Sequence, residues 1–189
     1  MMAIIKNIFK FIARSLFGNY QLNRIYYKKI NRHELQIPQS VDLKVIVNLE
    51  DIDQSKDQDI KDHKWYAMEN AFGFGLWDND DLVCMCWFWN NKNENLPNRF
   101  NKIGEQEVVM VDLITSKFYR GKGYALLITN YAENELGNSG YNKMWTWVWR
   151  SNKASARVFS KANWVYDYFL AELNLPLFSK PVKIRLPKM

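Results

Sequence analysis

The chain has 189 residues, 48% hydrophobic and 15% aromatic, with a formal charge of +6. That length is enough for one domain with a real core, and that composition excludes a disordered or collagen-like chain. The charge excess is modest and no dense basic run or nucleic-acid motif accompanies it, so it reads as ordinary solubility and nucleic acid is not expected as a partner.

At the start of the chain Ile4, Ile5, Ile8, Phe9, Phe11, Ile12, Leu16 and Phe17 are apolar, while Lys6, Lys10 and Arg14 recur at helical spacing. The pattern predicts a basic amphipathic helix ended by Gly18-Asn19. Interrupting charges exclude a transmembrane span, and the lack of a small-residue cleavage site argues against a signal peptide. The apolar stripe is expected to pack on the domain, with a weak membrane-surface or partner contact as the other reading. Tyr20, Arg24, Tyr26, Tyr27, Lys28, Lys29 and Arg32 make 20–37 aromatic and basic. A second short helix is expected there, so that 1–37 forms an N-terminal extension to a single domain spanning 1–189. Pro38 marks a break.

Residues 43–47 alternate and predict a strand; 49–70 are charged and predict helix. The acidic cluster Glu50, Asp51, Asp53, Asp57, Asp59 and Asp62 reads as a solvated face rather than a metal site. Residues 72–77 predict a strand, 78–81 a turn and 82–89 the returning arm of a hairpin. Cys84 and Cys86 are too close along one strand face for an easy disulfide, and no Cys/His cluster completes a metal site. Two buried thiols in a reducing, cytoplasmic setting fit better. His33 and His63 are isolated and are expected at the surface. A polar loop with Pro97 covers 90–102.

Residues 108–115 are apolar and β-branched and predict a buried strand. A glycine-rich turn, Arg120-Gly121-Lys122-Gly123-Tyr124-Ala125, joins it to a helical pattern over 126–136. Glycine lets the backbone approach closely and expose consecutive N–H groups, and a helix N-terminus favours an anion, so the turn suits a phosphate-carrying ligand as well as a plain tight turn. Residues 143–149 form a further strand in which Trp145, Trp147 and Trp149 share one face. Strands are also expected over 164–173 and 182–186.

Two segments together resemble the GNAT superfamily of coenzyme A-dependent N-acyltransferases. Arg120, Gly123 and Ala125 match its Arg/Gln-x-x-Gly-x-Gly/Ala motif. Asn152, Ser155, Phe159 and Lys161, followed by Asn163-Trp164, match its second motif, with Asn163 where glycine is usual. The resemblance implies an α/β fold: a mixed, largely antiparallel twisted sheet flanked by helices, with strands splayed at an acyl-CoA site.

It further implies acetyl-CoA or a related short-chain acyl-CoA as co-substrate. Gly121, Lys122, Gly123, Tyr124 and Ala125 would offer N–H donors to the diphosphate, with charge from Arg120 and Lys122. The amide-bearing arm would pair with the backbone of Leu113, Ile114 and Thr115, and Asn152, Ser155, Phe159 and Lys161 would line its other side. A backbone N–H near Leu113 or Ile114 would face the oxyanion. Asp112 and Glu107 are the carboxylates on the central strand that could deprotonate an amine, or else structural partners. Phe159 occupies the place of a proton-donating tyrosine, so Tyr166, Tyr168 or unassisted departure would have to serve the thiolate.

The acceptor is expected to be a small-molecule amine. Residues 17–26 look like those of small GNAT members in bacterial cell-surface polysaccharide pathways, which implies a nucleotide-linked amino sugar, with the tryptophan face 145/147/149 packing on a sugar or base. A protein N-terminus, a polyamine or an antibiotic amine is the alternative, and an inactive acyl-CoA-binding module a third. A homodimer is a further expectation.

Overall fold

The computed structural model describes residues 19–32, 34–100, 102–175 and 179–188. The expected amphipathic helix before residue 18 and the placement of His33 lie outside the described residues.

The chain runs β1 (Asn19–Lys29), β2 (Val41–Ile46), two single-turn helices α1 (Glu50–Asp53) and α2 (Gln58–Lys61), a 3-10 turn (Asp62–Tyr66), β3 (Ala71–Asp78) and β4 (Asp81–Asn90). It continues through β5 (Glu107–Thr115), a 3-10 turn (Lys117–Tyr119), α3 (Tyr124–Asn138), β6 (Lys143–Trp149), α4 (Lys153–Lys161), β7 (Val165–Asn174) and β8 (Val182–Leu186). One sheet of eight strands has the order β2-β3-β4-β5-β6-β1-β7-β8. Among the described residues only the β5–β6 pair is parallel; the other six pairings are antiparallel. The expected mixed, largely antiparallel sheet flanked by helices is therefore present.

The tight turn between β3 and β4 has Asn79 and Asp80 in the left-handed region, the geometry that matches hairpin twist. Every residue of β4 is buried, because apolar layers cover both of its faces. On one side α3 and α4 bring Tyr124, Ile128, Leu136 and Phe159 against Phe88, Met110 and Met144. On the other, Ile52 and Ile60 from α1 and α2, with Phe100 and Ile103, cover Met85, Trp87 and Val109. Cys84 and Cys86 are buried and unpaired, and burial pushes the Cys84 thiol up to about 12.

Two expectations are corrected. The segment 20–37 is not a second helix: its first part is β1, antiparallel to both β6 and β7. Ile25 and Tyr26 point to opposite faces and join the two different cores, a two-sided burial that a short apolar run cannot announce by itself. Lys28 is buried against Glu133, 2.5 Å away, and Arg24 donates to the Arg150 carbonyl, so this stretch does not present one free basic surface. The acidic cluster is not wholly a solvated face either. Asp57 is buried, where it caps α2 through the Asp59 N–H and also accepts from the Lys117 N–H.

Candidate functional site

The parallel pairing of β5 with β6 runs only from Glu107 opposite Lys143 to Met110 opposite Thr146. At that point β5 carries a bulge against β4: Trp87 faces Asp112 and Phe88 faces Met110, leaving Val111 as the extra residue. A bulge bends its strand and re-aims the side chains that follow. Beyond it, β5 and β6 part, and the backbone edge from Val111 to Thr115 faces a gap. Two cavities open at this gap, and Leu113, Asn152 and Ser155 line both.

The larger cavity, about 580 Å³, is bounded by Leu113, Ile114 and Thr115, by the glycine turn and by α4 through Asn152, Ser155 and Lys161. Gly121 and Gly123 have φ of +87° and +84°, and among the described residues a side chain added at either would meet nothing within 4 Å. Gly123 is the N-cap of α3, whose first N–H groups have no intrahelical carbonyl to bond. Arg120 donates from Nε to the Thr115 carbonyl, which holds the turn against the strand end. Arg120, Gly121, Gly123, Tyr124 and Ala125 all border the cavity. Lys122 does not; its Nζ lies 3.3 Å from Asp78 Oδ2. The Tyr124 hydroxyl donates to the same oxygen at 2.6 Å.

Asn152 caps α4, its Oδ1 accepting from the Ser155 N–H at 3.1 Å. That is the local reason for an Asn at this place. At the far end of α4, Asn163 has φ +59°. Asn is among the few residues that enter the left-handed region readily, so it replaces the usual glycine there without losing the helix exit.

The smaller cavity, about 290 Å³, is lined by Asp112, Tyr66, Arg99, Trp147 and Trp149 among others, with Phe159 at its inner wall. Trp149 is 59% exposed. Arg99 is anchored from Nε to Glu172 and from Nη2 to Gln21, and its guanidinium lies over the Trp147 ring at 4.8 Å. Asp112 is bonded through Oδ2 to His63 Nδ1 at 2.8 Å. His63 is thus not an isolated surface residue as expected: its side chain is 32% exposed and held by β5. That hydrogen bond raises the imidazole pKa above its ordinary value against the opposing effect of burial, and the charges of Asp112, Asp59 and Asp62 add to it. Burial first, and the Asp112 charge second, push the Tyr66 phenol up to about 12.

Several expected residues are not brought to this gap. Glu107 sits at the paired end of β5, where its carboxylate accepts from the Trp145 indole and the Gly104 N–H and faces Lys143. Trp145 shares the face of Trp147 and Trp149, but it packs on Tyr27 and Phe100. Contrary to expectation, Phe159 does not border the larger cavity; it walls only the smaller one, is 3% exposed and packs against Tyr26 and Trp164. Tyr166 packs on Tyr26, and the Tyr168 hydroxyl donates to the Arg99 carbonyl; neither lines either cavity. In their place the structure brings Tyr66 and Arg99 to the smaller cavity, and sets His63 against Asp112 beside it. The adjacent aromatics Trp65-Tyr66 inside a charged segment were the one available signal, and their rings stack at 3.7 Å.

Among the described residues no group of acidic, His or Cys side chains could hold a metal ion, and no helix is long and apolar enough to cross a membrane. No curated protein matches the sequence. Solved structures share its fold. A GCN5-related N-acetyltransferase from Kribbella flavida aligns with a TM-score of 0.54 at 10% identity over 90% of this chain and 60% of that one. One from Sphaerobacter thermophilus aligns at 0.56 and 10% identity, over 97% and 58%. A GCN5-related N-acetyltransferase-like protein from Streptococcus suis aligns at 0.56 and 14%, over 87% and 67%. The chain thus spans about three fifths of the length of the first two. The family model described as acetyltransferase (GNAT) matches residues 42–164, from β2 to the threshold of β7, and the chain belongs to that family.

Proposed function

We propose that the protein is an acyl-CoA-dependent N-acyltransferase whose acceptor is a nucleotide-linked amino sugar. The observation that carries the transferase reading is the meeting of two cavities at the parted strands, joined through Leu113, Asn152 and Ser155. In this reading the larger cavity takes the acyl-CoA. The glycine turn and the first turn of α3 donate N–H groups to the diphosphate, with charge from Arg120 and, at the margin, Lys122. The free edge at Leu113, Ile114 and Thr115 pairs with the amides of the arm and offers an N–H to the developing oxyanion. An acetyl or similar short acyl group then stands at the gap, next to the smaller cavity. A reducing, cytoplasmic setting suits the two unpaired thiols.

The acceptor reading rests on the smaller cavity. The indoles of Trp147 and Trp149 and the ring of Tyr66 offer faces to a sugar or a base, and the anchored Arg99 offers a guanidinium to a diphosphate. A single carboxylate, Asp112, lines it, which is a poor match to a polyamine.

The test is acetyl-CoA-dependent release of free CoA with four amines: a UDP-linked amino hexose, the same sugar without nucleotide, spermidine and a short peptide. The nucleotide sugar is expected to react best, and its stripped form to lose turnover as well as affinity, because remote binding energy orients the amine. Reaction with the peptide or polyamine alone overturns the acceptor and leaves the transferase. Acetyl-CoA binding without acylation of any amine makes the protein an acyl-CoA-binding module.

A further inference from the structure

We infer that His63, oriented by Asp112, is the base that removes a proton from the acceptor amine. The inference rests on the transferase reading. Asp112 lines the smaller cavity from β5, and Tyr66 lines it from the 3-10 turn that also carries His63. The His63 ring lies between them, bonded to Asp112 at 2.8 Å and facing the Tyr66 ring with centroids 5.7 Å apart. A carboxylate accepts, so Nδ1 carries the hydrogen, and in the neutral ring it is Nε2 that holds the lone pair. The His63 side chain is 32% exposed, and both of its ring partners, Asp112 and Tyr66, line the cavity, so a water can join Nε2 to that space.

The charged and titratable groups facing the ring are Asp112 from β5, Asp59 from α2 and Asp62 and Tyr66 from its own turn. Arg99, from the loop after β4, lines the same cavity. The three carboxylates favour the imidazolium, so the ring can take a proton and keep it through the reaction.

The balance is simple. The acceptor arrives as an ammonium, R–NH3+. One proton passes through water to Nε2, the neutral nitrogen forms the bond to the acyl carbon, and the carbon–sulfur bond breaks. The second nitrogen proton goes to the departing sulfur, giving amide and CoA thiol. The His63 imidazolium then returns its proton to solvent. Asp112 touches no reacting atom in this scheme; it is a positioning residue that fixes the ring tautomer and stabilises the imidazolium.

The experiment uses the full chain, acetyl-CoA and whichever of the four amines named above is acylated fastest, with kcat/KM measured from about pH 6 to pH 10. His63→Gln keeps a side chain able to reach Asp112 but cannot take the proton. Its turnover is expected to fall about 100-fold near neutral pH, with the gap closing as pH approaches the amine's own pKa. Asp112→Asn is expected to show the same pattern. In NMR, where the protein has only two histidines to resolve, it should also bring the His63 titration down toward the ordinary value of about 6.5. Calorimetry should show acetyl-CoA affinity unchanged in both. A loss equal at every pH, or no loss, in protein that still binds acetyl-CoA overturns the base and leaves the transferase. A His63 titration unmoved by Asp112→Asn overturns the pairing. If no amine is acylated by the wild-type protein, the transferase reading and the base fall together.

Discussion

The Tyr124 hydroxyl and Asp78 Oδ2 are 2.6 Å apart, and this one bond ties the first residue of α3 to the last residue of β3. It fixes the glycine turn from below, while Gly121 and Gly123 leave its upper side open. The Tyr124 bond, followed by the Lys122 ammonium, holds the Asp78 carboxyl below the usual carboxylate range against the effect of burial.

Tyr124→Phe removes the stronger partner of a buried carboxylate and should cost about 1–3 kcal/mol of stability near neutral pH. The sign with pH follows from a lowered native pKa. The contribution is complete above the unfolded carboxyl value of about 3.9 and is lost as pH falls through the native value. Urea melts at neutral and acid pH should therefore show the gap between wild type and variant shrinking only on the acid side. A gap that persists unchanged into strong acid would mean that the bond is not what the hydroxyl contributes.

Gly123→Ala tests the open side of the turn. Among the described residues the added methyl meets nothing within 4 Å, so the fold pays only for a positive φ, about 1–2 kcal/mol. On the proposed reading, in which a diphosphate approaches the N–H groups of α3 at this turn, calorimetry should show acetyl-CoA binding weakened well beyond that. Unchanged affinity in folded protein would remove the turn from the binding site.

Phe159 packs between Tyr26 and Trp164 and walls the smaller cavity without a proton to give. Phe159→Leu should lower stability by about 1–2 kcal/mol through lost aromatic packing. It should also raise the acceptor KM more than it lowers kcat, since Phe159 walls the cavity proposed for the acceptor. A loss confined to kcat would contradict a passive wall.

Tyr66 is the tyrosine that lines the smaller cavity, and a phenol pushed up to about 12 keeps its proton throughout the neutral range. If it protonates the departing sulfur, Tyr66→Phe should lower kcat about 100-fold at every pH below 10, the lower end of the range for proton-transfer groups. Tyr166→Phe and Tyr168→Phe should leave kcat nearly unchanged, since neither ring lines the cavities. The reverse ranking in a steady-state assay would return the role to β7.

Much of the site was legible without a structure because its chemistry is local. The strand 107–115, the glycine turn and the capped start of α4 each depend on residues a few positions apart. A left-handed turn favours glycine, and an N-cap favours a side-chain oxygen near the next free N–H, as Asn152 and the Ser155 N–H demonstrate. The two buried cysteines were read from alternation along one strand, and Trp147 and Trp149 share a face by the same rule.

What remained illegible depends on partners far along the chain. Residues 19–29 become a strand because β6 and β7 are there to pair with them, and the same aromatic and basic residues alone are compatible with a helix. The bulge at Val111 that opens the gap is a relation between β4 and β5, not a property of either sequence. His63 joins Asp112 across 49 positions, and Glu107 is drawn away from the gap by Trp145, Lys143 and Gly104. Sequence determined the turn, the caps and the strand faces, where backbone preference and near neighbours decide. Only the folded sheet decided which polar groups meet at the parted strands, because long-range pairing energies, not local propensities, set those distances.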